Sequence, residues 1–271
     1  MPASESVLCN FVSYLSLQGL THGTIRVYLS AVRSFHIYNG YASPLEEKPR
    51  LKLVMKAIFS EGKAPVKKLP ITYDLLCKLI EAHIFPAGYS GVLYRAVLSL
   101  LFFGGMRAGE VLIKGSFDAK RHLSLYSIIV FSSHMSVTLQ KTKTTDQPVS
   151  FNIPCTGGSV CGFCYFVAYY GIRLKMSPIH VLSPLFVNES GTGLTYKVFQ
   201  KFLNNLLSYV GVDPRKYSGH SFRAGLATQA GLKGLPDYAI QMLGRWESVA
   251  FKGYIHQSLE QTRSIFHTLL H

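Results

Sequence analysis

The chain has 271 residues, of which 48% are hydrophobic and 13% aromatic; this excludes a disordered chain and allows two domains, one with a sizeable core. Its 28 lysines and arginines outweigh 14 acidic residues and give a formal charge of +14, of which +3 falls in the first 65 residues and +11 in the remainder. Such a basic excess indicates a polyanionic partner, with nucleic acid favoured over a membrane. A basic protein that is merely soluble is the alternative.

The chain shows no signal for a membrane protein or for export. The most apolar run, residues 96–106, is bracketed by Arg95 and Arg107 and predicts a buried helix, too short to span a bilayer. The first residues lack the basic region of a signal peptide. Five cysteines without a secretory signal indicate reduced thiols and an intracellular protein.

Residues 5–60 predict a small helical unit. Apolar residues recur at helical spacing from Val7 to Tyr14 and again from Tyr28 to Phe35, and residues 51–58 indicate a third helix.

Basic residues in this first part are candidate phosphate contacts. Arg26 and Arg33 are seven apart and share one helix face, which either contacts phosphates or is only solvated. Residues 60–70 contain two prolines, a glycine and three lysines without an apolar period, and they predict a linker. Lys67 and Lys68 in this linker are expected to contact phosphates.

Beyond the linker, Thr72 is a predicted helix cap, and helices are predicted at about 73–84 and 90–103. The residue pair Gly104-Gly105 then permits a tight turn, and Arg107 opens a short helix with Glu110 one turn on. By itself an arginine–glutamate pair at this spacing is most often a surface ion pair.

The hydrophobic pattern changes between residues 122 and 154. Short runs rich in β-branched residues at 126–131, 136–140 and 149–153 predict a small antiparallel sheet. The last two runs flank a segment that contains Lys141 and Lys143. Without further information, either lysine is an exposed hairpin residue.

Three cysteines, Cys155, Cys161 and Cys164, follow the predicted sheet with the spacing C-x5-C-x2-C. A zinc site needs a fourth ligand, and no histidine or cysteine follows at a usual spacing. We therefore expect buried thiols and no metal site.

An amphipathic helix is predicted after a loop at residues 183–193. Thr195 is its expected cap, and Lys197 and Lys201 lie four apart on its polar side. These lysines either contact DNA or form a solvated face.

The segment 217–254 carries the strongest chemical signal. His220 and Arg223 are three apart, so on a helix they lie on one face, and Gly219 suits a helix start that favours an anion. A guanidinium and an imidazole facing an anion, with Tyr254 one short helix later, suggest phosphoryl transfer to a tyrosine hydroxyl. The alternative for the pair alone is a salt-bridged arginine with a capping histidine.

This segment reads Tyr-Ser-Gly-His-Ser-Phe-Arg, followed by Leu-Gly-Arg-Trp and then Tyr254. It resembles the C-terminal signature of the tyrosine recombinases (phage integrase family). That signature is His-x-x-Arg, a Gly-(His/Trp) turn and a nucleophilic tyrosine. The residues of this segment look most like those of the same signature in eukaryotic mobile elements of the DIRS and Crypton kinds.

The resemblance extends upstream. Gly105-Met-Arg-Ala-Gly-Glu110 is similar to the context of the family's first catalytic arginine, which implies this role for Arg107. Residues 142–147 resemble the segment with the catalytic lysine, with one extra threonine, and they favour Lys143 over Lys141. The sixth family position is assigned to Trp246, because Leu-Gly-Arg-Trp recurs in the mobile-element branch of the family. Arg245 is the alternative, because it lies at the family's usual nine residues before the tyrosine and Trp246 lies eight before it.

The family's fold is mainly α with a small antiparallel β-sheet (α+β). By resemblance, residues 1–65 form a small helical, SAM-like core-binding domain that binds DNA, and residues 66–271 form the catalytic domain. Because the family usually has four or five helices in the first domain, the chain is expected to begin within it.

The resemblance implies a site-specific DNA recombinase that cleaves and rejoins double-stranded DNA through a 3′-phosphotyrosine. The implied catalytic residues are Arg107, Lys143, His220, Arg223, Trp246 and the nucleophile Tyr254. The expected DNA contacts are Arg26, Arg33, Lys67, Lys68, Lys141, Lys197, Lys201 and Arg245.

Since the phosphotyrosine conserves the bond energy, neither ATP nor a metal is expected as a cofactor. A final helix at residues 259–270 implies homo-oligomers, from dimer to tetramer, on DNA, although docking on its own domain is equally open. The eukaryotic wording implies a nuclear location. The alternatives are a DNA-binding module derived from such an enzyme and a type IB topoisomerase.

Overall fold

The computed structural model describes residues 2–62, 68–176 and 180–254, without the side chains of residues 249, 250 and 254. Lys67 and the helix predicted at residues 259–270 lie outside the described residues. The chain divides into two compact units, residues 1–66 and 67–271. No helix in the described ranges is long and apolar enough to cross a membrane.

In residues 2–62, the first unit has three helices, α1 (Glu5–Leu17), α2 (His22–Tyr38) and α3 (Pro49–Glu61). Ser4 and Thr21 cap the first two by accepting hydrogen bonds from backbone N–H groups one turn on, and Pro49 begins the third. The core residues are Leu8, Val12, Leu15, Ile25, Leu29, Leu51 and Ile58.

The sequence predicted these helices, but four of the apolar residues that indicated the first two do not lie in the core. Val7, Tyr14, Tyr28 and Phe35 are 46–67% exposed. Their neighbours in sequence are buried instead, because α1 and α2 both pack against α3.

The second unit is a helical domain around one central helix. Its helices are α4 (Tyr73–Glu81), α5 (Tyr89–Phe103), α6 (Ala108–Val111), α7 (Gly162–Arg173), α8 (Tyr196–Tyr209), α9 (Ser221–Leu232) and α10 (Asp237–Gly244). Short 3₁₀ helices lie at Leu125–Ser127, Pro214–Lys216 and Val249–Tyr254. The apolar run of α5 is buried almost all round, since α4, α6, α7 and α9 pack against it. Thr72 and Thr195 cap α4 and α8 as predicted.

The sheet is small and antiparallel, in the order β1 (Ile128–Val130), β2 (His134–Leu139) and β3 (Val149–Pro154). Val137 lies opposite Ile128 on one side and Phe151 on the other. Alternate residues of β2 face the core: Met135, Val137 and Leu139. The fold is therefore mainly α with a small antiparallel sheet, as the sequence predicted.

Candidate active site

The turn at Gly104 and Gly105 sets the position of Arg107. Gly105 has a φ of +51°, and a Cβ there would lie 2.9 Å from Leu226 Cδ2 of α9. Arg107 then stands at the start of α6, where its backbone N–H donates to Glu110 Oε2 at 2.9 Å. Its guanidinium donates to Glu110 Oε1 at 3.0 Å, so the carboxylate holds both ends of this arginine. Because Glu110 is only 5% exposed, this is not the surface ion pair that the spacing alone suggests.

Arg223 reaches the same turn from α9. Its side chain is buried, and Nη1 donates to the carbonyl oxygen of Gly105, two residues before Arg107. The guanidinium carbon lies 4.5 Å from the ring centroid of Trp246, within the range of a cation–π contact. Arg223 is thus held in one orientation between the Gly105 turn and the only tryptophan of the chain.

His220 stands directly before α9 and is exposed. The residue before His220 packs closely on α6: a Cβ on Gly219 would lie only 2.7 Å from the Cβ of Ala108, which directly follows Arg107. Partial burial lowers the pKa of His220 most, and the positive charges of Arg223, Arg107 and Lys143 lower it further, below the ordinary value of 6.5. The imidazole is therefore neutral at neutral pH and can accept a proton.

Lys143 lies at the tip of the hairpin between β2 and β3. The Thr142 N–H donates to the Thr145 carbonyl at 2.9 Å, and Thr142 Oγ1 accepts from the N–H groups of Thr144 and Thr145, both at 3.2 Å. This turn presents Lys143 as an exposed tip residue. Its charge acts on His220, on which charges from α6 and α9 also act.

Lys141 lies in the same hairpin but in a different electrostatic setting. Its ammonium pairs with Asp146, and this hydrogen bond and charge lower the pKa of the carboxyl. The charges of Arg223, Arg107 and Lys143 thus all act on His220, whereas Lys141 has an anionic partner of its own.

Arg245 was predicted as a DNA contact, but its guanidinium points into the domain. Its Nη1 donates to the Gly104 carbonyl at 2.5 Å, and its Nη2 lies 3.4 Å from Glu110 Oε2. The guanidinium carbon also lies 3.9 Å from the ring centroid of Phe151 in β3. Burial lowers the pKa of Arg245 to about 10 and outweighs the opposing effect of the Glu110 carboxylate; the charge of Arg107 adds a smaller lowering effect. The guanidinium therefore stays charged at neutral pH.

The segment around Trp246 leads to Tyr254. Arg245 ends α10 in the left-handed conformation, with a φ of 55°. Trp246 packs on Phe251, which is fully buried and lies three residues before Tyr254. The backbone of Tyr254 ends the last 3₁₀ helix, but its side chain is outside the described part, so its role stays a prediction.

The other predicted DNA contacts lie on the surfaces of the two units. Arg26, Arg33, Lys197 and Lys201 are exposed on α2 and α8. Lys68 is exposed too, although its ammonium donates to the Arg215 carbonyl.

A basic groove between α2 and α3 was missed in the sequence. Arg26 lines it together with three lysines of α3 or the residue before it, Lys48, Lys52 and Lys56. Their spacing of four residues is a signal for one helix face, which sequence analysis can use.

The expectation of three buried thiols was wrong for two of the cysteines. Cys161 is buried, but Cys155 and Cys164 are exposed, and the three sulfurs lie within 4.8 Å of one another. Burial acts to raise the pKa of Cys161, but hydrogen bonds from Thr156 and Cys164 outweigh it and lower the pKa. The pKa of Cys164 is raised; its hydrogen bond with Cys161 is the largest cause, and burial is the second.

Solved structures of DNA recombinases have the same fold as this chain. The Tn1549 transposon integrase in complex with transposon right end DNA has a TM-score of 0.64 and 16% identity, over 99% of this chain and 86% of that one. The XerH site-specific recombinase in a post-cleavage complex with palindromic difH substrate has a TM-score of 0.68 and 17% identity, over 98% of this chain and 73% of that one.

A lambda integrase dimer bound to a COC′ core site has a TM-score of 0.59 and 14% identity, over 94% of this chain and 82% of that one. Neither a protein-family model nor a curated protein sequence matches the chain. The structural likenesses show the fold, which is that of the tyrosine recombinase catalytic domain with a helical unit before it.

Proposed function

We propose that this protein is a site-specific DNA recombinase that cuts and rejoins double-stranded DNA through Tyr254. The observation that carries the proposal is the set of positive charges, from Arg107, Lys143 and Arg223, that act on the imidazole of His220 and help to keep it neutral. Three separate elements supply these charges, and Glu110 and Gly105 fix two of them. A charged site of this kind suits a group that carries its own negative charge.

A DNA phosphodiester resists attack because its non-bridging oxygens are anionic. Arg107 and Arg223 are proposed to bind these oxygens as rigid forks, a geometry that lysine does not reproduce. Their partners in the protein hold them in position before DNA binds, so little reorganisation is needed as charge develops on the phosphate. His220 accepts the proton of the attacking hydroxyl or donates to the phosphate.

In the proposed reaction the Tyr254 hydroxyl oxygen attacks phosphorus and the bond to the 5′ oxygen breaks. Lys143 gives its proton to that leaving oxygen, and the products are a 3′-phosphotyrosine and a free 5′-hydroxyl. Attack by another 5′-hydroxyl reverses the step and rejoins the strand. The number of phosphoester bonds does not change, so no external energy source is needed. Trp246 supports Arg223 through its ring face.

The first unit is proposed to be the core-binding domain, which binds DNA through Arg26, Arg33 and the lysines of the basic groove. The catalytic domain adds Lys197 and Lys201 of α8, which are exposed. The amino-acid sequence around His220 and Trp246 supports an origin in a eukaryotic mobile element and hence a nuclear location. Assembly into dimers or tetramers on DNA follows from the same resemblance.

Two other functions are compatible with a charged site of this kind. A DNA-binding module derived from a recombinase would keep the charged site without using it. A type IB topoisomerase uses the same cleavage chemistry on DNA without a specific site. The helical first unit and the Gly-Arg-Trp turn favour the recombinase over the topoisomerase.

Covalent trapping tests the proposal. DNA ligands are first selected from a random-sequence library with the protein itself, and are then nicked so that the leaving strand diffuses away. We expect a protease-sensitive adduct that resists detergent, formed without ATP, and its loss in Tyr254→Phe. The matched control is Tyr238→Phe, an exposed tyrosine of α10, which is expected to keep the adduct.

Other outcomes separate the rivals. Tight binding without an adduct on any selected DNA would favour the unused module. Relaxation of supercoiled plasmids without strand transfer between two selected duplexes would favour the topoisomerase. An adduct that survives in Tyr254→Phe would contradict the assignment of the nucleophile.

A further inference from the structure

Three cysteine sulfurs at the end of one strand and the start of one helix lie close together. Cys155 follows β3 directly, Cys161 stands at the start of α7, and Cys164 lies in the first turn of that helix. The Cys155 sulfur is 3.7 Å from that of Cys164 and 4.0 Å from that of Cys161. Within residues 2–62, 68–176 and 180–254, no other histidine, cysteine or acidic side chain joins this group.

These separations can be compared with those of known sulfur chemistry. A tetrahedral zinc ion with Zn–S bonds of about 2.3 Å requires its sulfurs to be about 3.8 Å apart. A disulfide requires about 2.05 Å. The observed 3.7 and 4.0 Å therefore match the edge of a zinc–thiolate tetrahedron and exceed the length of a disulfide.

We propose that Cys155, Cys161 and Cys164 bind one zinc ion as three thiolates. Each thiol gives up its proton to solvent when the ion binds, and zinc undergoes no redox change. The exposed sides of Cys155 and Cys164 let the ion enter, and water takes the fourth position. The Thr156 N–H lies 3.3 Å from the Cys161 sulfur and supports the thiolate as an outer hydrogen-bond donor.

The position of this site indicates a structural role. The ion would join the end of β3 to the start of α7, and α7 packs along the central helix α5. The opposite end of β3 leads to the hairpin with Lys143. Zinc would thus fix the sheet on the helical core, and this role is independent of the proposed DNA chemistry.

Metal analysis of the full-length chain tests the site. After purification without chelator and dialysis against a zinc-buffering ligand, we expect about one zinc per chain by mass spectrometry. Cys155→Ser and Cys164→Ser change exposed residues and are expected to lose the ion. Cys77→Ser, a cysteine of α4 outside the group, is the matched control and should keep it. Cobalt(II) should give the sulfur-to-metal charge-transfer band of a thiolate site only where zinc binds.

A second measurement needs no variant. Added zinc should protect Cys155 and Cys164 from iodoacetamide while leaving the labelling of Cys9 and Cys77 unchanged. The proposal is overturned if the wild-type chain holds no zinc after dialysis, or if Cys155→Ser keeps all of it. Equal labelling of all cysteines with and without zinc also overturns it, as does a Cys155–Cys164 disulfide in protein purified under argon.

Discussion

Arg245 connects three parts of the second unit that are far apart in sequence. Its guanidinium contacts the carbonyl oxygens of Gly104 and Gly105, the carboxylate of Glu110 and the ring of Phe151. Because Glu110 also binds Arg107, the side chain of Arg245 supports the turn that positions a proposed catalytic arginine. The sequence alone placed Arg245 on DNA, since no sequence pattern tells whether an arginine at a helix end turns inward.

The guanidinium of Arg245 bonds several acceptors at once, and replacing it with a group that cannot do so tests this support. Arg245→Lys keeps the charge but bonds only one of the acceptors, so carbonyl oxygens are left unsatisfied. We expect a loss of about 1–3 kcal/mol in the free energy of unfolding of the second unit, the usual cost of buried groups left without partners. Urea unfolding followed by the fluorescence of Trp246, which lies next to Arg245, measures it.

Arg215→Lys is the matched control for this change. Arg215 is an exposed arginine that pairs with Asp213, so its replacement should leave the unfolding midpoint nearly unchanged. Equal midpoints for the two variants would contradict the support that we assign to Arg245.

At the scale of elements, the hairpin between β2 and β3 explains why two lysines close in sequence differ. Strand parity places residues 141 and 143 on one face and does not separate them. The strand ends at Leu139, however, and the turn from Thr142 to Thr145 follows, so the alternation stops before either lysine. The sequence therefore predicts the hairpin, but not which ammonium is paired with Asp146.

This difference predicts separate effects on catalysis. Lys143→Ala should lower the rate of DNA cleavage by about 100- to 10,000-fold, the range for loss of a general acid. Lys141→Ala should have a much smaller effect, because the charge of this half-exposed lysine is already matched by Asp146. Single-turnover cleavage of the selected DNA measures both rates.

A modified substrate tests the role of the proton. A bridging sulfur in place of the 5′ oxygen leaves without protonation, so it should restore cleavage by Lys143→Ala to nearly the wild-type rate. A Lys143→Ala rate that stays equally low on the sulfur substrate would show that this lysine does not protonate the leaving group.

The three cysteines show a feature of the structure that the sequence pattern does not predict. The pattern of β-branched residues indicates β3 correctly, but the spacing C-x5-C-x2-C does not fix how the loop between β3 and α7 folds back. The sulfurs of Cys155, Cys161 and Cys164 meet because that loop returns the chain to the start of α7. In the first unit, too, the periods of α1 and α2 fix helices, while packing on α3 decides which face is buried.

At the scale of the whole molecule, the charge of +14 is distributed over both units, and each contributes exposed basic residues. In the first unit, four basic residues line one groove: Arg26 of α2, Lys48 just before α3, and Lys52 and Lys56 of α3. Contacts of lysine with phosphate release counterions, so each contact adds to the salt dependence of binding and carries no base sequence information.

This charge arrangement predicts how binding responds to salt. Lys52→Ala removes one groove cation and should lower the slope of log affinity against log salt by about 0.9, equally for selected and unrelated DNA. The control is Lys233→Ala, which is exposed at the opposite end of α9 from His220, about 18 Å along the helix axis. Its slope should equal that of the wild type.

Fluorescence titrations over a range of salt concentrations measure both slopes. If Lys52→Ala and Lys233→Ala change the slope equally, the charge acts through the field of the whole protein and the groove does not bind phosphate. If Lys52→Ala weakens binding to selected DNA alone, this lysine contacts a base edge, and sequence recognition then extends to the first unit.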